Sequence, residues 1–344
     1  MPFPTQSAAV MFTGKERAEL CSEPLREPGR GEILVRTTWT LISTGTESTL
    51  YGRRFEDTSR WKVEYPAKAG YSHVGVVEAV GHGVTAWKVG DRLVSANNHV
   101  QYLVVPENDP GSGFRPIPAN VSDRDAAWAI LGRIVQMGVR RANHVLGENI
   151  VVVGLGPLGQ LAVQYARLTG PRVLCAIDPV HGRVDMATRH GATHGLCMGV
   201  DHALEAVKEI TGGRMADVVY DMTGSAKVFA ASQLLLRTLG RQVLIGDTGF
   251  PSGQHISEAV ITRSLTILGC MGPQAPVEAN NWHYWSRGNM VDPFLQYLSD
   301  GRMCVSDLNT HAFRPAECQA AYQVLLTDRG STMGVHFDWT AVGD

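Results

Sequence analysis

The chain has 344 residues, 44% of them hydrophobic and 19% charged, a length beyond one ordinary core that predicts two domains. A formal net charge of −2 without a long Lys/Arg run gives no electrostatic case for nucleic acid or an anionic membrane as partner. No basic-then-apolar leader opens the chain, and no apolar stretch reaches the ~18 residues of a membrane helix, so a cytoplasmic protein is expected.

Up to about residue 145 the pattern is β-rich, with short apolar segments at Ile33–Val35, Gly75–Val80, Arg92–Val94 and Tyr102–Val105 cut by Gly, Pro and Asn. From Asn149 to Cys270 short apolar runs alternate with helix-length segments. IVVVG precedes a helix at Leu158–Leu168, and RVLCAID precedes one at Arg183–His190. DVVYD precedes a helix at Val228–Leu239, and RQVLIG and LTILG follow. That rhythm marks βαβ units and a parallel sheet. Two more helical patches, Asp292–Ser299 and Pro315–Thr327, close the chain. The six cysteines are widely spaced, without a CxxC pair, and are expected to be reduced. The fold class expected is α/β, a doubly wound parallel sheet over 146–291 inserted into a β-rich domain formed by 1–145 and 292–344.

The strongest local signal is IVVVGLGPLGQLAVQYARLTG, in which Gly154, Gly156 and Gly159 form G-x-G-x-x-G between an apolar strand and an apolar-periodic helix. The first glycine permits a tight turn and the second lets backbone approach a pyrophosphate. The third lets helix pack on strand, so the helix N-terminus faces the anion. The next strand ends on Asp178, at the spacing where an acid meets the adenosine ribose hydroxyls and repels a 2′-phosphate. NAD is therefore expected over NADP, with Arg183 the one nearby group that would favour the phosphate.

In order along the chain, GEILVR, LISTGTES, GYSHVGVVEAVGHGVTAWKVGDRLV, QYLVVP, LGRIVQMGVRRA, GLGPLG, DVVYDMTGS and VLIGDTG resemble the medium-chain dehydrogenase/reductase superfamily over essentially the whole chain. The resemblance implies a Rossmann domain plus a GroES-like β-rich domain, a nicotinamide cofactor, a small-molecule alcohol or ketone substrate and a homodimer or homotetramer. It also implies that Pro157, Leu158, Thr223, Gly246, Cys270 and Met271 join Gly154, Gly156, Asp178 and Arg183 around the cofactor.

Departures from the family pattern are equally informative. Where zinc-dependent relatives carry Cys-x-Thr-Asp this chain has Thr44-Gly45-Thr46-Glu47, and where they carry Gly-His-Glu it has Gly70-Tyr71-Ser72. The remaining ligand position falls near Ile130–Leu131, and the four-cysteine structural-zinc lobe is missing. A catalytic zinc needs about three N, S or carboxylate ligands, so no zinc is expected. S-T-G-T-E and G-Y-S resemble a zinc-free branch that includes bacteriochlorophyllide dehydrogenases and the dehydrogenase half of two-domain sugar oxidoreductases.

Without zinc, hydrogen-bond donors must stabilise the reacting oxygen and a proton path must reach it. The resemblance makes Thr46 the relay hydroxyl. Tyr71, in the place of a metal-binding His, becomes a phenol for proton exchange, although phenols ordinarily titrate near ~10. Thr44, Ser72 and Glu47 complete the expected polar cluster. His73, Trp61, His283 and Trp285 are further candidates for substrate walls, the last two in an aromatic segment, 280–287, that equally suits a subunit contact. The expected activity is NAD-dependent oxidation of a secondary alcohol in a polyol, cyclitol or sugar derivative. A quinone or enone reductase and a non-catalytic dinucleotide-binding protein are the rivals.

Overall fold

A computed structural model describes residues 3–340 apart from Pro110 and Trp282, with nothing said of the Pro273 side chain. Its contacts divide the chain into two units: residues 1–54, 62–131 and 275–344 in one, 55–61 and 132–274 in the other. Relative to the sequence expectation, 132–145 joins the nucleotide unit and 275–291 joins the β-rich unit. The segment 55–61 crosses over as well. The first division falls inside one amphipathic helix, Ala129–Ala142.

The nucleotide unit is a six-stranded, all-parallel sheet. Its order is His194–Leu196, Val173–Ile177, Asn149–Val153, Ala216–Asp221, Leu236–Leu244 and Thr266–Gly269. Numbered along the chain that is 3-2-1-4-5-6, the Rossmann order, whose direction reverses between the first and fourth strands. The two central strands are entirely buried, as a sheet covered on both faces demands of Asn149–Val153 and Ala216–Asp221. Their Val-rich composition suits that position.

One expected element differs. The helix foreseen at Val228–Leu239 spans Ala226–Gln233, and the chain is already a strand from Leu236. Leu236 pairs with Ala216, and an irregularity follows before Arg241 meets Val218; Leu239 within it has φ +61°. Long-range pairing overrides a locally helical apolar pattern there.

The β-rich unit contains a sheet running Asn309–Phe313, Gly334–Asp338, Glu32–Leu41, His73–Val80, Arg92–Ser95 and Arg115–Pro116, with Tyr102–Pro106 also paired to Glu32–Leu41. A small sheet of Arg17–Pro24, Gln6–Gly14 and Ala67–Lys68 accompanies it. One core is aromatic: Phe12, Tyr51, Tyr322, Phe337 and Trp339 are all buried together. Tyr51 and Tyr322 stack at 5.3 Å, which seats helix Thr44–Tyr51 against helix Cys318–Thr327. Among the described residues no helix is long and apolar enough to cross a membrane.

Candidate functional site

In the nucleotide unit the glycine signature sits where the topology places a ligand, at the carboxyl end of the first parallel strand beside the fourth. Gly154 has φ +87°, and a Cβ there would lie 2.5 Å from Thr223 Cγ2. A Cβ on Gly159 would lie 2.0 Å from the Gly154 carbonyl oxygen, so only glycine lets helix Pro157–Arg167 approach the loop. A Cβ on Gly156 meets nothing within 4 Å. Gly156 is the N-cap of that helix with Pro157 at its first position and no side-chain capping bond, so the first backbone N–H groups have no intrahelical acceptor. This is the cradle a pyrophosphate needs.

Asp178 is almost fully buried, and its carboxylate accepts from the Leu155 N–H at 2.8 Å and the Val180 N–H at 2.9 Å. Arg183 Nη1 stands 3.9 Å from the same carboxylate. The acid thus shapes the glycine loop as well as presenting charge beside it. On the other side of the crevice Asp221 accepts from Thr223 N–H at 2.9 Å and Thr223 Oγ1 at 2.7 Å, and burial raises its pKa. Gly246 is packed so closely that a Cβ would lie 2.4 Å from Gly224 N. Leu158 opens the helix after Pro157, while Cys270 and Met271 follow the last strand. Burial pushes the Cys270 thiol up to about 11, leaving it neutral.

The β-rich unit brings only part of its expected cluster together. Tyr71 Oη donates to Ser43 Oγ at 2.5 Å and lies 3.3 Å from Thr46 Oγ1. Thr44, Thr46 and Tyr71 are half-buried, within reach of solvent. Ser43 was not among the sequence candidates; it is the N-cap of helix Thr44–Tyr51, with its hydroxyl left free of a capping bond. The signal was present in the hydroxyl-rich run Ser43-Thr44-Gly45-Thr46, but which hydroxyl turns toward Tyr71 depends on where the helix begins.

Three expected site residues lie elsewhere. Glu47 is 1% exposed. It accepts from Ser43 N–H at 2.7 Å and Tyr322 Oη at 2.6 Å, and lies 3.0 Å from His99 Nε2. A carboxylate so enclosed ties helix to core and cannot meet a substrate. Ser72 is buried and spends its hydroxyl on the Ala127 carbonyl at 2.6 Å. His73 is buried between Thr37 Oγ1 at 2.8 Å and Ser95 Oγ at 2.9 Å, and burial pushes its pKa down to about 3, a neutral core imidazole.

The aromatic candidates also separate. Trp61 is buried in the nucleotide unit and donates Nε1–H to the Thr248 carbonyl at 3.1 Å. His283 and Trp285 sit in the β-rich unit on an exposed loop, and Trp282 of the same segment lies outside the described residues. A cleft of about 610 Å³ lined by Trp87, Phe114 and Arg115 shares no residue with the hydroxyl cluster. Its Glu107 and Asp109 carboxylates are bonded to local backbone N–H groups.

Comparison with known proteins agrees with both units. Residues 157–285 match the family described as zinc-binding dehydrogenase, and 29–109 match the alcohol dehydrogenase GroES-like domain. The D-guloside 3-dehydrogenase of Escherichia coli K12 is 31% identical over 246 residues, 68% of this chain and 67% of that protein. An L-threonine 3-dehydrogenase of Caldanaerobacter subterraneus is 25% identical over 297 residues, 77% of this chain and 83% of that one. Among solved structures, an Escherichia coli oxidoreductase of unknown specificity involved in membrane biogenesis superposes with a TM-score of 0.81 at 18% identity, covering 97% of this chain and 99% of that one.

Zinc-binding in the family description sets a test for the residues present. By the resemblance in motif, the metal-binding positions of zinc-dependent relatives fall on Thr44, Tyr71 and the buried, apolar Ile130 and Leu131. Among the described residues no group of three or more His, Cys, Asp and Glu gathers to hold a metal ion. This donor set does not fit zinc, which takes nitrogen, sulfur or carboxylate ligands. The glycine cradle does fit a dinucleotide. The chain belongs to the medium-chain, zinc-type alcohol dehydrogenase-like superfamily, and is an oxidoreductase of the kind that acts on CH–OH groups with a nicotinamide cofactor.

Proposed function

We propose that the protein is a metal-free, NAD-dependent dehydrogenase that oxidises a secondary alcohol of a polyol, cyclitol or sugar derivative, or reduces the corresponding ketone. The observation that carries this reading is the Tyr71 hydroxyl held between Ser43 and Thr46, at the place where relatives bind metal. The D-guloside and L-threonine dehydrogenases, both named for oxidation at a position 3, support a secondary alcohol.

The bound dinucleotide supplies the hydride acceptor. Gly154, Gly156 and the N-terminus of helix Pro157–Arg167 would hold its pyrophosphate, with Leu158 alongside. Asp178 would face the adenosine ribose and disfavour a 2′-phosphate, the basis for NAD over NADP. Thr223, Gly246, Cys270 and Met271 border the other half. Tyr71 exchanges the proton of the substrate oxygen. In the oxidation direction Tyr71 releases its own proton to solvent and as phenolate takes the alcohol's proton, Ser43 and Thr46 rotating their hydroxyls to donate to the phenolate oxygen and lower the cost of its charge. Thr44 adds a hydroxyl for substrate binding. A cytoplasmic homodimer or homotetramer completes the reading.

Nicotinamide absorbance, followed with NAD and a panel of polyols, cyclitols and sugars with and without chelator, tests it. Turnover that chelator leaves unchanged is expected. One zinc per chain with chelator-sensitive turnover overturns the metal-free mechanism. Preference for NADPH with rapid reduction of activated alkenes would make the protein an enone or quinone reductase instead.

A further inference from the structure

The segment 55–61 follows the hydroxyl-bearing helix Thr44–Tyr51 along the chain, yet its contacts belong to the nucleotide unit. There it is bonded repeatedly to the loop 246–252, which leaves the carboxyl end of strand Leu236–Leu244. The Glu56 N–H donates to the Gly249 carbonyl at 2.8 Å. The Glu56 carboxylate accepts from the Ser252 N–H at 2.7 Å and from Ser252 Oγ at 2.5 Å. Arg60 Nε donates to Asp247 Oδ2 at 2.6 Å, its second nitrogen also reaches that oxygen, and Trp61 Nε1 donates to the Thr248 carbonyl at 3.1 Å. The Arg60 guanidinium lies 4.4 Å from the centroid of the Trp61 ring, so the one cation is fixed by both an acid and an aromatic face.

The loop held this way forms part of the crevice wall. A Cβ at Gly224 would lie 2.3 Å from the Asp247 carbonyl oxygen, and one at Gly246 would lie 2.5 Å from the Met222 carbonyl carbon. Backbone therefore packs on backbone between this loop and the turn Asp221–Gly224, whose Thr223 in turn abuts Gly154. A shift of 247–249 cannot be absorbed by a side chain and passes to that turn.

We propose that Glu56 and Arg60 are positioning residues for the cofactor, holding 246–252 and the adjoining turn in the form that receives the nicotinamide half of the dinucleotide. The inference rests on reading this unit as the dinucleotide site. A loop ordered in advance spares the ligand the entropy of ordering it, so releasing the segment weakens binding of the half that meets the loop. The adenosine half meets Asp178, at the end of a strand on the other side of the glycine loop from 246–252, so its binding should be held.

The test is equilibrium titration of the full-length protein with NAD and, separately, with AMP, for wild type, Arg60→Met and Glu56→Ala, alongside thermal melting. Each variant is expected to raise the Kd for NAD by about tenfold and leave that for AMP unchanged, with the melting temperature held. Arg60→Lys, which keeps the charge without the fork, should recover part of the loss. Unchanged NAD binding in both variants, or NAD and AMP weakened together, overturns the positioning role while leaving the dinucleotide site standing. A wild type that binds neither NAD nor AMP removes that site and the inference with it.

Discussion

In the nucleotide unit, backbone geometry dictates the residues: Gly154 at φ +87° and Gly159 against a carbonyl oxygen admit no other side chain. In the β-rich unit the residues chosen by motif position divide into two fates. Tyr71 meets Thr46 and Ser43, whereas Glu47 and Ser72, the chain neighbours of Thr46 and Tyr71, turn into the core. A motif that encodes a turn constrains every atom near it. A motif that encodes hydroxyls says only that hydroxyls are present, and packing decides which of them face solvent.

The sharpest way to break that comparison is at Gly159. A valine there must displace the Gly154 carbonyl, which a Cβ alone would approach to 2.0 Å. Either the helix moves off the loop or the loop opens. Gly159→Val should abolish detectable dinucleotide binding, a loss of more than about a hundredfold, as overpacking against backbone leaves no low-cost relaxation. Titration of the intrinsic tryptophan fluorescence with NADH reads this directly. Binding within a few-fold of wild type would mean that the close approach is not what forms the cradle.

Tyr71→Phe tests the other unit and should have the next largest effect. It removes the atom proposed to exchange the proton and leaves Ser43 and Thr46 without their shared partner. Removing a general acid–base typically costs ~10²–10⁴ in turnover, and kcat should fall within that range while Kd for NAD stays put. The pH dependence is the decisive readout. A limb of the kcat profile present in wild type should vanish in the variant. A variant with full turnover would reduce Tyr71 to a filler of the place where relatives bind metal.

How much of this was legible in the residues follows the same division. Five of the six parallel strands and the glycine loop could be read, because apolar runs alternating with helix-length segments and glycine-only turns each have one physical cause; His194–Leu196, three residues with two exposed, carries no such run. The helix boundary at Gln233 could not, since Leu234–Leu239 is apolar under either period and a pairing between Leu236 and Ala216 decides it. Trp61 and its neighbours lie, by position in the chain, within the β-rich half, yet their hydrogen bonds go to Thr248, Asp247 and Ser252. No local pattern announces such a crossing. Glu47 misled for another reason. Its partner Tyr322 is 275 residues away, and only that contact shows the carboxylate to be spent.

His73 offers the smallest effect and the cleanest sign. Next to the half-buried hydroxyl cluster in sequence but inside the core, it is held neutral, its pKa pushed from 6.5 down to about 3 by burial and by the nearby His99. The folded chain therefore refuses a proton that the unfolded chain accepts anywhere between those two values. Stability contributed by the neutral ring is fully present above about pH 6.5 and drains away as the pH falls toward 3, with a slope of about 1.4 kcal/mol per pH unit. His336, also pushed down to about 3, adds a parallel slope. Replacing His73 by Gln costs packing at every pH but removes its share of the slope. Urea unfolding of wild type and His73→Gln at pH 7.5, 6 and 5 separates the two: the gap between them should narrow as the pH drops. A gap that stays constant would mean that the imidazole takes up its proton in the folded state, and that His73 belongs nearer to solvent, and to the reacting hydroxyls, than its enclosure by Thr37 and Ser95 implies.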